Sequence, residues 1–106
     1  MFARKVSMAL KPGSIAKLGL LMEKNVIPKL REQRGFQDAI TFGVPSRDEV
    51  FVVSLWDKAE SAEAYNRAAY PEVLRLLAPL IEGIPKIETY EVVHSTLHKI
   101  AAAVAA

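Results

Sequence analysis

The residues whose types and spacing best suit recognition of a small molecule are Trp56, Tyr65, Asn66 and Tyr70. Trp56 closes an apolar run, and the two tyrosines flank a stretch rich in alanine. Small side chains beside large rings can leave a cavity, although they equally allow a helix to pack closely on a sheet. A tryptophan at a strand end commonly lies in the core, with its N–H bonded to a neighbour. These four residues are therefore candidates for a substrate-binding wall, with core packing and a surface amide at Asn66 as the alternatives.

Two further residues, Asp38 and His94, could accept a proton from a bound molecule. Asp38 alternates with Phe36 and Ile40, so we predict that it faces their side of a strand, where burial would make it a candidate base. A carboxylate at a strand edge is the alternative. His94 and His98 are four residues apart, a spacing that suits a metal only when both lie on one helix. Because no third ligand follows them, we predict no metal site and treat His94 as a surface or interface residue, with a general base as the alternative.

The chain has 106 residues, of which 51% are hydrophobic and 25% charged, as in a single globular domain. No run of about 18 uncharged apolar residues is present, so we expect no membrane span. The sequence contains no cysteine, which excludes a disulfide scaffold and a thiol nucleophile and suits the cytoplasm. Residues 1–34 carry a net charge of +6 and the remainder −4. Because the bases are spread along a predicted helix, a solvated face or pairing with the acidic half is favoured over a nucleic-acid surface.

Hydrophobic periodicity predicts four strands and two helical regions, the second of them in two pieces. Pro28 is predicted to kink the first helix near its end, and Asp57 and Glu60 have the spacing of a capping box. The predicted elements are a strand over about 2–10, a helix from Ser14 to about Arg34 closed by Gly35, strands over 36–42 and 49–56, a helix from Asp57 to about Ala69, a helix from Pro71 to about Ile81, and a strand over 86–94. This β-α-β-β-α-β order predicts a ferredoxin-like α+β fold, with a four-stranded antiparallel sheet and helices on one face.

The third strand indicates that both faces of this sheet are buried. Residues 50–53 are continuously apolar, and Leu55 and Trp56 follow after one serine, whereas a strand with one face in water alternates apolar and polar residues. Since the helices cover one face, we predict that a second copy of the chain covers the other, giving a homodimer joined sheet to sheet. Residues 1–94 would form this domain. Residues 95–106 would form a short amphipathic tail capped by Ser95, with a disordered tail as the alternative.

Four segments together resemble the antibiotic biosynthesis monooxygenase-like domains of the dimeric α+β barrel superfamily. They are residues 26–31 running into Gly35-Phe36, residues 53–57, Ala64-Tyr65 followed by residues 70–73, and residues 85–92. The resemblance covers about residues 2–94. It implies a pocket in each subunit, between the sheet and the helices, where a small aromatic substrate gives electrons directly to oxygen without metal or flavin. Trp56 matches the tryptophan that ends strand three in such domains, and Tyr65, Asn66 and Tyr70 match the pocket side of the next helix.

The resemblance leaves other functions open. A non-catalytic dimer of the same fold that binds a small ligand or is associated with stress is the alternative to a cofactor-free monooxygenase. Haem-degrading members of the superfamily carry a histidine after strand three, and this chain has none between Trp56 and Pro85, so haem degradation is not expected. RNA-recognition domains share the element order, but their third strand requires a basic residue, glycine and exposed aromatics. Residues 49–56 contain neither glycine nor base, so we expect no nucleic-acid partner.

Overall fold

The computed structural model describes residues 1–98 as one antiparallel sheet and a set of short helices. The strands are β1 (Phe2–Leu10), β2 (Phe36–Val44), β3 (Glu49–Trp56) and β4 (Ile81–Glu91). The helices are α1 (Ile15–Leu21), α2 (Ile27–Arg31), α3 (Ala59–Ala68) and α4 (Tyr70–Leu77), with a π-helical turn at Met22–Val26 and 3-10 turns at Pro45–Arg47 and Ala78–Leu80. The strand order across the sheet is β2-β3-β1-β4. The predicted ferredoxin-like α+β fold is confirmed.

Side chains of the two central strands, β1 and β3, alternate between a helix-facing side of the sheet and an open side. Val6 pairs with Val52 across them, and both side chains are buried under the helices. The intervening residues of β3 point the other way, and Phe51 and Val53 stay half-exposed in the single chain. We call the side formed by β2 residues 38, 40 and 42, β3 residues 51, 53 and 55, and β1 residues 3, 5 and 7 the open face. The apolar run of β3 therefore contributes to both sides of the sheet.

The first helical region buries an apolar stripe at helical spacing and contains a proline. Leu18, Met22, Val26 and Leu30 are all buried, and Ile15, at the start of the same stripe, is half-buried. Pro28 lies in the first turn of α2, directly after the π-helical turn, and its ring offers no N–H to a carbonyl of the preceding turn. Ahead of it the chain widens into the π-helical turn, in which the Ile27 N–H bonds to the Met22 carbonyl. The helix is therefore irregular at the place where a kink was predicted, and the helical region stops at Arg31 instead of at about Arg34.

The predicted start of α3 is wrong. The capping box at Asp57 does not form: α3 begins at Ala59 after an extended Lys58, with no capping side-chain bond. The Asp57 N–H instead donates to the Gly35 carbonyl, 2.8 Å away, which ties the start of α3 to the turn before β2. The N-cap position of α3 is therefore Lys58, one residue later than predicted.

The last strand begins earlier than predicted. Ile81 pairs with Leu10 and so belongs to β4 rather than to the preceding helix. Glu82 pairs with Ala9 and Lys86 with Ser7, so residues 83–85 form a bulge in the strand, with Gly83 at φ +71°. The sequence signal of Gly83 and Pro85 was correct for an interruption, but it interrupts a strand and not a helix.

The end of the described chain lies beyond the sheet. β4 ends at Glu91, and the Ser95 hydroxyl oxygen accepts bonds from the N–H groups of Leu97 and His98, as a helix N-cap does. The predicted amphipathic tail past His98 lies outside the described residues. Within residues 1–98, no helix is both long enough and apolar enough to cross a bilayer.

Gly35 should be intolerant of any side chain, because its backbone and its surroundings both require glycine. Its φ is +84°, and an added Cβ would lie 2.3 Å from an Asp57 carboxylate oxygen and 2.6 Å from the Ser61 Cβ. We expect Gly35→Ala to lower the free energy of unfolding by about 3 kcal/mol, from left-handed strain and overlap together. Urea denaturation at fixed protein concentration measures it.

Two matched glycine variants separate these causes. Gly13 has φ +74° with open space around it, so Gly13→Ala should cost only about 1 kcal/mol of strain. Gly19 lies in α1 with open space, so Gly19→Ala should stabilise the protein by about 0.5 kcal/mol or more. Equal effects at positions 13 and 35 would contradict the predicted overlap.

Candidate functional site

A buried arginine lies at the centre of the candidate site. Arg4 occupies an inward position of β1 and is only 4% exposed. Its guanidinium carbon lies 4.2 Å from the ring centroid of Tyr70 and 5.2 Å from that of Tyr65. One guanidinium nitrogen donates to the Asn66 side-chain oxygen at 2.8 Å. The structure therefore brings Tyr65, Asn66 and Tyr70 together around a residue that sequence reasoning did not single out.

Trp56 lies behind this cluster, in the core. It is fully buried, and its ring centroid lies 5.1 Å from that of Tyr65 and 5.5 Å from that of Phe36. Its indole N–H donates to the Ser54 hydroxyl at 2.9 Å, and that hydroxyl donates to the Arg4 carbonyl at 3.3 Å. Trp56 thus fixes the position of Tyr65 and of the Arg4 backbone from behind.

A small cavity lies between the sheet and the helices beside this cluster. Its volume is about 30 Å³, room for about two water molecules. Arg4, Tyr65 and Tyr70 form one end of it. The rest of its wall is almost entirely apolar: Val6, Met8, Met22, Val26, Leu30, Val52, Val73 and Leu77, with Ser54 the one other polar residue. Tyr65 and Tyr70 therefore line a cavity, whereas Trp56 and Asn66 do not.

A larger groove of about 270 Å³ lies on the other side of the arginine, between α3 and the edge strand β4. Apolar or weakly polar groups form much of its wall: Phe2, Ala62, Ile87 and Thr89. Glu63, Asn66 and Arg67 form the remainder. Because Arg4 lines both spaces, the Arg4–Asn66 hydrogen bond lies at the boundary between the small cavity and the groove.

Burial changes the acid–base properties of the cluster. Desolvation lowers the pKa of Arg4, and the nearby Tyr65 and Tyr70 oppose that shift. Desolvation also raises the pKa of Tyr65 to about 12, with Arg4 acting in the opposite direction and Tyr70 in the same one. The Tyr65 phenol consequently keeps its proton at neutral pH and serves as a hydrogen-bond donor, not as a base.

The two predicted proton acceptors lie away from this cluster. Asp38 pairs in register with Leu55 and so lies on the open face of the sheet, where its carboxylate bonds to the His98 imidazole. The irregularity between Phe36 and Asp38 explains why Asp38 shares a side with Ile40 but not with Phe36. His94 is exposed and follows the end of β4. In residues 1–98, no group of three or more potential metal ligands comes together.

Sequence reasoning missed Arg4 and Ser54 as members of the site. Each is a polar residue at an inward position of an otherwise apolar strand face: Arg4 precedes Val6 and Met8, and Ser54 follows Val50 and Val52. A buried polar group needs a partner. That interruption of the apolar pattern was the available signal.

Comparison with known proteins supports the fold through solved structures and not through sequence relatives. No family model matches the chain, and no curated protein matches it. Among solved structures, a monooxygenase of Streptomyces coelicolor in complex with nanaomycin D superposes with a TM-score of 0.76, at 21% identity over 92% of each chain. A protein of unknown function from Nitrosomonas europaea gives 0.75, at 19% identity over 92% of this chain and 94% of that one.

A provisionally named antibiotic biosynthesis monooxygenase of Deinococcus radiodurans gives a TM-score of 0.71, at 15% identity over 90% of this chain and 95% of that one. The resemblance to antibiotic biosynthesis monooxygenase-like proteins is thus confirmed for the fold over nearly the whole chain. Identities this low carry no assignment of substrate or catalytic activity.

The raised pKa of Tyr65 predicts a specific loss of stability at high pH. An unfolded tyrosine ionises near pH 10, whereas folded Tyr65 holds its proton to about pH 12. Stability present below pH 10 is therefore lost as the pH rises through this window, by about 2 to 3 kcal/mol when the window is crossed. We expect Tyr65→Phe to remove this part of the pH dependence in urea denaturation between pH 8 and pH 12. Identical pH profiles for the two proteins would contradict it.

Proposed function

We propose that this chain is a homodimeric, cofactor-independent monooxygenase-like protein that acts on a small aromatic substrate at the cluster of Arg4, Tyr65 and Tyr70. The observation that carries the proposal is the juxtaposition of this cation and two rings with an apolar cavity and an adjoining groove. The fold shared with a monooxygenase that was crystallised with nanaomycin D supports it. The cytoplasmic location expected from the cysteine-free sequence belongs to the same proposal.

Oxidation of an anthrone-like substrate by O₂ is a balanced reaction that needs no other reactant. Loss of a proton from the substrate's CH₂ carbon gives an electron-rich enolate, which passes one electron to O₂. The resulting radical and superoxide combine into a peroxide at that carbon. After the peroxide takes up a proton, loss of water leaves a carbonyl group, so CH₂ and O₂ become C=O and H₂O. The protein's part is to orient the ring, exclude water with apolar walls and supply hydrogen-bond donors such as the Tyr65 phenol.

One observation favours the alternative of a non-catalytic ligand-binding dimer. The described residues that line the cavity include no carboxylate and no imidazole, Tyr65 keeps its proton at neutral pH, and the one carboxylate that lines the groove, Glu63, is exposed to solvent. A binding protein needs no base, whereas an oxygenase must draw the substrate proton to water or to a group outside the cavity. Measured turnover separates these two functions.

Oxygen-dependent turnover of anthrone to anthraquinone tests the enzymatic proposal. We expect oxygen uptake above the rate of autoxidation, unaffected by chelator and without added flavin. Tyr65→Leu should reduce the rate about tenfold to hundredfold, because it removes both the ring and the donor. Tyr90→Phe is the control that should retain the rate, because this exposed tyrosine pairs with Ala3, lies on the side of the sheet opposite the cluster and lines neither the cavity nor the groove. A rate equal to autoxidation, with anthrone still bound, would favour the non-catalytic alternative.

The proposed dimer rests on the open face of the sheet. Phe42 and Phe51 stack there with ring centroids 4.7 Å apart, and the Lys5 ammonium lies 4.8 Å from the Phe51 ring centroid. Ile40 and Phe42 remain 45% and 42% exposed in the single chain. A contiguous apolar face of this kind is typical of a protein interface.

Ile40→Asp should weaken the proposed dimer at least hundredfold, because an unpaired charge buried between two sheets costs several kcal/mol. Leu20→Asp is the matched control: Leu20 is 56% exposed but lies on α1, away from the open face, so the dimer should persist. Sedimentation equilibrium over micromolar concentrations measures both. A monomeric wild-type protein, or equal effects of the two variants, would refute the sheet-to-sheet arrangement.

A further inference from the structure

The charge of Arg4 has no counter-charge among the described residues. The ion pairs of this part of the chain join Lys29 to Glu72, Arg47 to Glu49 and His98 to Asp38, and none includes Arg4. Among the described residues, the partners of the guanidinium are all neutral: the Asn66 side-chain oxygen, the ring faces of Tyr65 and Tyr70, and a side-chain hydrogen bond with Tyr70. A buried cation held only by neutral groups is an unusual arrangement, because buried charges are normally paired.

The position of this charge shows what it can reach. Arg4 lines both the small cavity and the groove. A guanidinium carries five N–H donors in a planar fork that matches the two oxygens of a carboxylate. The other ionisable side chains of the groove are Glu63 and Arg67, and both are exposed, so water and salt screen their charges more strongly than that of Arg4.

We infer that Arg4 is the specificity-determining residue of the site and binds an oxyanion, a carboxylate or phenolate, carried by a small aromatic ligand. The inference rests on the proposed small-molecule site and adds the charge class of its ligand. The ring of the ligand lies in the groove against Phe2, Ala62 and Ile87, where 270 Å³ provides the room that the 30 Å³ cavity lacks. Its oxyanion takes the place of the missing counter-charge, beside the Asn66 amide.

A matched pair of ligands tests this inference on the full-length protein. Calorimetric titration at pH 7.5 compares 2-naphthoate with 2-naphthamide, which has nearly the same shape but no charge. We expect wild-type protein to bind the carboxylate at least tenfold more tightly. Arg4→Met should abolish the preference, and Arg4→Lys should retain part of it, because lysine keeps the charge and loses the planar fork. Arg75→Met removes an equal charge from the exposed side of α4 and should leave the preference unchanged.

The outcomes separate the inference from the proposed function. Equal binding of the two ligands by wild-type protein, or a preference that persists in Arg4→Met, would overturn the role of Arg4 and leave the aromatic site standing. Binding of neither ligand would overturn both. If circular dichroism shows that Arg4→Met does not fold, the wild-type comparison and Arg4→Lys decide the question. Preference in wild-type protein that is weakened in Arg4→Lys supports the inference.

Discussion

Burial of a guanidinium in the inward face of a central strand is the constraint on which the candidate site depends. The alternation of β1 that sends Val6 and Met8 into the core also sends Arg4 under the helices. A cation in that position loses its hydration and must find electron-rich neighbours. These neighbours are the rings of Tyr65 and Tyr70 and the amide oxygen of Asn66. The contacts of one charged side chain therefore join both α3 and α4 to the sheet.

The support behind this cluster is equally local. Ala62 is buried against the sheet and has almost no side chain, so α3 can approach closely enough for Tyr65 to meet Trp56. The Trp56 N–H and the Ser54 hydroxyl form a short chain of hydrogen bonds that ends on the Arg4 carbonyl. Fully satisfied polar chains of this kind stiffen a core. Small residues beside large rings were compatible with a cavity or with close packing of a helix on the sheet. Both occur here, since Trp56 is packed in the core while Tyr65 borders a cavity.

Periodicity predicted those parts of the fold in which one residue pattern dominates. The spacing of Leu18, Met22, Val26 and Leu30 identified the buried stripe of the first helical region, and the apolar run of β3 identified a strand with two apolar sides. Irregularities that depend on a partner strand were not predictable. The bulge of residues 83–85 follows from pairing with β1, and the side on which Asp38 lies follows from the irregularity after Phe36. Single-sequence patterns carry no information about such pairing.

The alternation of β1 also explains how the helix-facing side of the sheet can hold a ligand site while the open face forms an interface. Lys5 points to the open face and contacts Phe51, while Arg4, its neighbour in sequence, points to the helices. Pairing on both edges of β1 fixes the backbone of residue 4, and the Ser54 hydroxyl adds a further bond to its carbonyl. The guanidinium, in contrast, has only neutral partners: the Asn66 oxygen and the side chains of Tyr65 and Tyr70. An oxyanion in the groove adds to these contacts and requires no change in the sheet, so a ligand can be recognised at Arg4 while the open face stays as it is.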